Sequence, residues 1–551
     1  MNDVSSAMGR NRTELVGRTE ELARLCGKLQ DARTGHGGLC LVAGATGIGK
    51  TRLARELAER AAGDAFDVLW ATCDDSPAAP AYHPWIDILR ALLALRGGLA
   101  GTKPYGPFDL LVGSSPALAE TAESPAVPAS TLEAERLRFE LFAAVARALR
   151  VAATERSLVV VLDDAHTADV GSLLLLRHAA HALHHSRVLM VATVRAAESR
   201  LAQHGQAVLA DLADVSETVL LDGWDLDELR SFLRPEFPEG VPARLLEVVY
   251  QLTRGNPLFV EGVSRTLRER GDVVLADGFP LEVRLPDGLR TVLRGRLDPL
   301  SGEARKVLDC IAVAGRHGAA PLVAEIAAME LAAVVDHANE AVGARVLLAP
   351  ERVGGVYRFA HPLIREIVHA DLPGTRRQAL HRRAAIAIQQ AQAPALDEHA
   401  SAIAHHYIES SSRGDADAAV AFARKAAEWA TARCAYEEAA HQVRRALATL
   451  PDDDVEERCA LLVALGEAHL RAGHVARAHE ICREASLLAR EIGAAELLAR
   501  ATLARSGEAV RKSNLNRRYW QPLLKAAGLE GTRFHDLRHT CATLLLLANV
   551  H

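Results

Sequence analysis

The sequence predicts a multidomain chain: a parallel-sheet α/β core followed by an all-α remainder. Three observations predict it. A Gly-x-x-x-x-Gly-Lys-Thr loop, Gly44 to Thr51, stands between an apolar run, Leu39 to Ala43, and a helical pattern through Leu53, Ala54, Leu57 and Ala58. A second apolar run, Leu158 to Leu162, ends in two carboxylates, Asp163 and Asp164. Past residue 226 the apolar residues recur mostly at helical spacing. At 551 residues the chain has room for roughly three to four domains.

The first run has the strand–loop–helix context of a phosphate-binding loop. Gly44, Gly47 and Gly49 let backbone N–H groups turn inward around a phosphate chain, and the following helix adds the partial positive charge of its N-terminus. Lys50 is expected to reach the β- and γ-phosphates, and the Thr51 hydroxyl to ligate Mg²⁺. The alternative is a Gly-rich turn of no function, which the correct flanks on both sides disfavour. The second run is uninterrupted, as befits a parallel strand buried on both faces. Carboxylates at its C-terminal end stand where open α/β sheets bind ligands. Asp163 is expected to hold Mg²⁺, and Asp164 to orient or deprotonate the attacking water. The competing reading is an Asp pair that caps the next helix.

Composition sets bounds. Aromatic residues are only 4% against 49% hydrophobic, so the cores must be built from Leu, Ala and Val. A net charge of −6 argues against nucleic-acid binding by the surface at large, though not by a local patch. Eight scattered cysteines without a C-x-x-C pair fit reduced thiols, not a disulfide framework or a zinc site. The first residues are polar, and no uncharged apolar run is long enough to span a bilayer. The expectation is a cytoplasmic protein with no membrane partner.

Residues 1–11 are expected to be disordered. Val16-Gly17-Arg18-Thr19-Glu20-Glu21 then reads as a turn and a helix start; ahead of a phosphate loop it resembles the Val-Gly-Arg-x-x-Glu element that borders adenine in AAA-like ATPases. Asp67 to Thr72 alternates as a strand, residues 97–130 read as a variable loop, and a helix is expected from about Leu132 to Arg150.

The segment Asp163-Asp164-Ala165-His166-Thr167-Ala168-Asp169 resembles the signal-transduction ATPases with numerous domains, in particular the large ATP-binding regulators of the LuxR type. Further pieces follow in order. Thr193-Val194-Arg195, after the strand Val188 to Ala192, looks like the family's sensor arginine. Arg254-Gly255-Asn256-Pro257-Leu258 is similar to the lid element whose proline lies against adenine. Phe359-Ala360-His361-Pro362-Leu363 resembles the winged-helix histidine that contacts the β-phosphate of ADP. The resemblance spans about residues 12–505. It implies a P-loop AAA-like ATPase domain over 12–225, a helical lid over 226–297, a winged helix over 298–372 and TPR-like helical repeats, an α-solenoid, over 373–505. It also implies ATP or ADP with Mg²⁺ as cofactors. The implied catalytic and nucleotide residues are Gly17, Arg18, Gly44, Gly47, Gly49, Lys50, Thr51, Asp163, Asp164, Arg195, Pro257 and His361. A switch follows from it, closed by ADP, opened by ATP, self-assembling in the ATP state and timed by slow hydrolysis.

Within these regions two points come from the residues themselves. The candidate recognition helix, Leu331 to Val342, carries Asp336 and Glu340 and no Lys or Arg, so a packing role is expected rather than DNA reading. In the repeat region Ala439, Ala446 and Pro451, then Leu465, Gly466, Ala478 and Ala485, fall at small-residue and proline positions of a tetratricopeptide repeat, whose concave face would take a protein or small-molecule effector. His178, His181 and His185 share a helix face, but alanines surround them, and an ordinary semi-buried helix is expected.

Residues 506–551 differ in character. Eight Lys or Arg and three Asp or Glu lie between Arg505 and Arg538. Arg533-Phe534-His535-Asp536-Leu537-Arg538-His539-Thr540 resembles the His-x-x-Arg region of tyrosine recombinases, the phage integrases. The resemblance implies that His535 and Arg538 contact a scissile phosphate, in a short helical integrase-like tail. No tyrosine follows Arg538 to serve as nucleophile. A chimera is therefore expected, in which an integrase-like fragment replaces the regulator's DNA-binding end. Recombinase activity is not expected, and DNA would bind at most weakly through the basic tail. A DNA-integration function is the alternative reading of the whole.

Overall fold

The computed structural model describes residues 15–73, 78–95, 111, 131–195, 203–237, 240–270, 294–315, 318–350, 355–360, 362–391, 396–410, 415–451 and 453–506. Val159, Val160 and Val161 are β-branched and fully buried, which suits a central strand. They belong to β3 (Leu158–Asp163), one of five parallel strands with β1 (Gly38–Gly44), β2 (Asp67–Thr72), β4 (Val188–Arg195) and β5 (Glu217–Leu221). The strand order is β2-β3-β4-β1-β5. The phosphate-loop strand β1 and the carboxylate strand β3 are therefore one strand apart, with β4 between them. The register pairs Gly44 with Arg195 and Leu162 with Ala192.

The three inner strands, β1, β3 and β4, bury both faces. On one side Cys40, Val42, Val159, Val161, Leu189, Val191, Val219 and Leu221 meet Leu22, Leu25 and Leu29 of α1 (Thr19–Arg33) and Leu53 and Leu57 of α2 (Lys50–Gly63). Leu53 and Leu57 are wholly buried, worth about 1.5–3 kcal/mol each relative to exposure. The alternate positions Leu39, Leu41, Val160 and Met190 are equally buried. The flanking helices are α3 (His83–Leu95), α4 (Thr131–Glu155), α5 (Val170–Ala182) and α6 (Gln203–Asp214). The described residues up to 225 thus give a parallel-sheet core, and nearly all the described residues that follow are helical.

Three helices come next: α7 (Leu226–Leu233), α8 (Ala243–Thr253) and α9 (Pro257–Arg270). Asp225 and Glu228 form a capping box that fixes the start of α7. Trp224, Leu229, Leu233, Leu246, Val249 and Val260 make their core. A further cluster unites α10 (Gly302–Ala314), α11 (Ala320–Ala327), α12 (Leu331–Gly343) and α13 (Pro362–Asp371) through Val307, Ile311, Val323, Val334 and Ile364. Between α12 and α13 the antiparallel pair β6 (Leu347–Leu348) and β7 (Arg358–Phe359) is only two residues long, extended by a bridge from Ala319 to Val356. Pro350, just beyond β6, has no N–H to continue the ladder.

Contacts divide the described residues into two compact units, Met1–Pro125 with Leu137–Leu450, and Ala126–Arg136 with Pro451–His551. In the first unit the helical part ends with α14 (Gly374–Ala391), α15 (Leu396–Ser410), α16 (Ala416–Ala432) and α17 (Tyr436–Thr449). The second contains α18 (Val455–Arg471), α19 (Val475–Glu491) and α20 (Ala495–Ser506). Small residues let consecutive helices approach closely: a Cβ added at Gly466 on α18 would lie 2.3 Å from Cys482 Sγ on α19. Among the described residues no helix is long and apolar enough to cross a membrane.

Candidate functional site

The loop between β1 and α2 turns on glycines. Gly47 and Gly49 have φ of 78° and 104°, a left-handed backbone that favours glycine. Gly49 is the N-cap of α2 and gives it no side-chain cap, so the first N–H groups of the helix face the loop. Lys50 is 7% exposed. Its Nζ donates to Gly44 O at 3.0 Å and Ala45 O at 2.9 Å. Burial pulls its pKa down; Asp164 and Asp163 support the charge, and Arg195 opposes it.

Asp163, the last residue of β3, is 4% exposed. Its Oδ1 accepts from Thr51 Oγ1 at 3.0 Å and from Thr193 Oγ1 at 2.7 Å. Thr193 Oγ1 in turn accepts from the Asp164 N–H at 2.7 Å. These oxygens fit Mg²⁺. With metal–oxygen distances of about 2.0–2.1 Å, adjacent ligands of an octahedron lie about 2.9 Å apart, close to the observed Thr51–Asp163 spacing. Asp164 follows in a left-handed turn, φ 56°, which Asp tolerates better than most residues.

Arg195 ends β4, and the register sets it beside Gly44. Its charge is felt by Lys50 and by His166. Arg18 is buried, with φ 66°. Its Nη2 donates to Ile48 O at 3.3 Å and to Asp222 O, and its Nη1 meets Glu21 Oε1 at 3.1 Å. Arg18 thus ties the phosphate loop to the segment leading into α7. Gly17 lies against Glu228 of α7, whose Oε1 would be 2.1 Å from an added Cβ.

The turn Arg254 to Leu258 rests on the phosphate loop. Asn256 is 8% exposed, and its Nδ2 donates to Thr46 O at 2.9 Å. The Leu258 N–H donates to Gly47 O at 3.3 Å and to Asn256 Oδ1 at 3.1 Å. A Cβ on Gly47 would come within 2.7 Å of Leu258 Cβ. Pro257, the first residue of α9, sits between these two contacts.

The fold therefore gathers Gly44, Gly47, Gly49, Lys50, Thr51, Asp163, Asp164 and Arg195 at the C-terminal edge of the sheet, with Arg18 and Pro257 bordering the loop. His361, His535 and Arg538 lie outside the described residues, as does the integrase-like tail beyond Ser506. Three residues were not singled out in the sequence: Thr193, Asn256 and His166. Each stands inside a quoted motif, but only the folded chain shows what Thr193 and Asn256 bond to.

The histidines of α5 do not converge. The His178 ring meets Phe139 edge-on at 5.3 Å and Phe142 at 5.8 Å, while His185 lies past the end of the helix against His184. A different cluster appears among the described residues. Ring nitrogens of His381, His405 and His406 all lie within 4.8 Å of one another. Arg445 Nη2 stands 3.2 Å from His405 Nδ1, a cation where a metal site would want an anion or a neutral acceptor.

Residues 14–191, which carry the phosphate loop and the Asp163 strand, match the family model of the AAA ATPase domain, so this stretch is a domain of that class. Over 431 residues the chain is 26% identical to an uncharacterised protein of Rhizobium meliloti (strain 1021), a match that takes in 73% of this chain and 39% of that protein. The chain thus spans well under half the length of that curated relative. Among solved structures it is similar to a signal transduction ATPase with numerous domains that carries a tetratricopeptide repeat sensor, from Pyrococcus horikoshii. The identity is 14%, the TM-score 0.43, and the match covers 94% of this chain and 72% of the other. It is also similar to a Walker-type ATPase of Pyrococcus abyssi, at 18% identity and a TM-score of 0.31, over 65% of this chain and 97% of the other.

Proposed function

We propose that this chain is a signal-transduction ATPase switch that binds ATP and ADP with Mg²⁺ and hydrolyses ATP slowly. One observation carries the reading. Residues 112 positions apart, Thr51 and Asp163, place their oxygens 3.0 Å apart beneath a glycine-turned helix N-terminus and a buried lysine. Phosphate oxygens would replace Gly44 O and Ala45 O as partners of the Lys50 ammonium. Thr51 and Asp163 would hold Mg²⁺, which when bound offsets the negative charge of the phosphates. Asp164 would orient the attacking water and receive its proton. The water oxygen bonds to the γ-phosphorus as the bond to the bridging oxygen breaks, leaving ADP and phosphate. Arg195 would stabilise the charge that develops on the γ-phosphoryl group.

The switch is supported by Asn256 and Leu258, which bond to the carbonyls of Thr46 and Gly47. A phosphate loop that rearranges with its nucleotide would change the purchase of α9 upon it. The sequence resemblance supports the finer assignment to large LuxR-type regulators, with an effector on the helical repeats and self-assembly in the ATP state. Lys50→Ala is expected to abolish ATP binding in calorimetry without loss of helix content by circular dichroism; unchanged affinity would overturn the proposal. The motif of His535 and Arg538 favours a second role in DNA integration only if the purified chain forms a covalent adduct with a suicide recombination substrate, and no adduct is expected.

A further inference from the structure

Among the described residues His166 is the one histidine in this candidate site. It lies on the single 3-10 turn Ala165–Thr167 between β3 and α5, three residues past Asp163. Its side chain is 4% exposed. Neither Nδ1 nor Nε2 has a hydrogen-bond partner among the described residues. Buried polar groups in folded proteins are nearly always bonded, and an orphan pair at a functional site calls for an explanation. His166 Nδ1 stands 3.9 Å from Asp164 Oδ1, too far for a hydrogen bond.

The surroundings say what the ring is suited to meet. Burial, then the charges of Arg195 and Lys50, push its pKa down to about 4, so at neutral pH it offers one N–H and one bare nitrogen. A third cation beside Arg195 and Lys50 would be repelled there, whereas a neutral donor is not. The helix N-terminus accounts for the inner phosphates, and Lys50 reaches on toward the γ-phosphate. His166 lies with Asp164 and Arg195, the two residues that the nucleotide reading assigns to the attacking water and the γ-phosphoryl group. Resting on the nucleotide reading above, we propose that His166 detects the γ-phosphate: its N–H donates to a γ-phosphate oxygen, and its bare nitrogen accepts a hydrogen bond from the attacking water. The residue then separates ATP from ADP and holds the water for Asp164, without itself moving the proton.

The alternative is a histidine that only fills space. The test measures the affinities of ATP and ADP, each with Mg²⁺, for the full chain by calorimetry, alongside single-turnover hydrolysis. In His166→Ala, ATP affinity is expected to fall five- to tenfold with ADP affinity held within twofold, and hydrolysis to slow at least tenfold. His166→Gln, which keeps a donor and an acceptor, is expected to restore most of the preference for ATP. Equal losses for ATP and ADP, or no change in either, would overturn the proposal. Should the wild-type chain bind neither nucleotide, the underlying reading fails first. Binding by the wild type with indifference to His166 removes only this inference.

Discussion

A buried ammonium needs oxygens around it, and Lys50 finds them in the loop it serves. Gly44 O and Ala45 O hold the charge in place until a stronger anion arrives. Asn256 does comparable work from the other side of the loop. Its Nδ2–Thr46 bond joins segments 210 residues apart, and its Oδ1–Leu258 bond closes the local turn. Removing a buried amide leaves Thr46 O and the Leu258 N–H with fewer partners, a cost of about 1–3 kcal/mol. Asn256→Ala is therefore expected to lower the melting temperature of the chain and to speed release of a fluorescent ADP analogue several-fold. Identical melting and identical release would show that the turn does not restrain the loop.

Elements differ in how far they could be read in advance. The strand Asp67–Thr72 follows directly from alternation, and β3 from an unbroken apolar run with a carboxylate stop. β4 runs on to Arg195, three residues beyond the apolar stretch, because Thr193 and Val194 continue the ladder with β1. The pair β6–β7 is only two residues long, and Pro350 stands just past its first strand. The convergence of Thr51, Asp163 and Thr193 was half legible: phosphate loop and carboxylates announce themselves by spacing, but the threonine is an ordinary strand residue until the sheet order is known. The histidines of α13, α14 and α15 were not singled out in the sequence. His381 Nδ1 stands 3.0 Å from His406 Nδ1, and His369 Nε2 3.4 Å from His381 Nε2.

That cluster has a consequence for pH. Burial pushes His381 and His405 down to about 3, with Arg365, Arg377, Arg445 and the neighbouring His369 adding to it. Above pH 6.5 the folded and unfolded chains are both neutral at these sites. As pH falls from 6.5 toward about 3, the unfolded chain takes up protons that the folded one refuses, and stability is lost through that window. At pH 5 the loss is about 2 kcal/mol per histidine. Glu438, pushed up to about 7 by burial, works in the opposite sense, so the informative comparison is between proteins. His381→Asn combined with His405→Asn is expected to lose less melting temperature than the wild type between pH 7 and pH 5. Parallel losses would show that these rings are not held neutral.

At the scale of the whole molecule, the candidate nucleotide site belongs entirely to the first of the two compact units. A ligand that binds only the folded form stabilises what it binds, by about 2.7 kcal/mol at a hundredfold excess over Kd. Mg·ADP is expected to raise the unfolding temperature of the unit that contains β1–β5 and to leave the α18–α20 unit where it was. Scanning calorimetry with and without nucleotide checks this, with Lys50→Ala as the protein that should show no shift. An equal rise in both transitions would mean that the second unit depends on the site as well.

The pairing of Gly44 with Arg195 makes β4 a ruler. Side chains alternate along a strand, and each residue advances it by about 3.3 Å. One residue inserted between Val188 and Val194 would carry the guanidinium past the end of β1 and turn it to the opposite face of the sheet, while leaving an apolar strand that could still fold. Across descendants of this gene, β4 should therefore accept exchanges of Val, Ile, Leu and Met freely and yet never change its length.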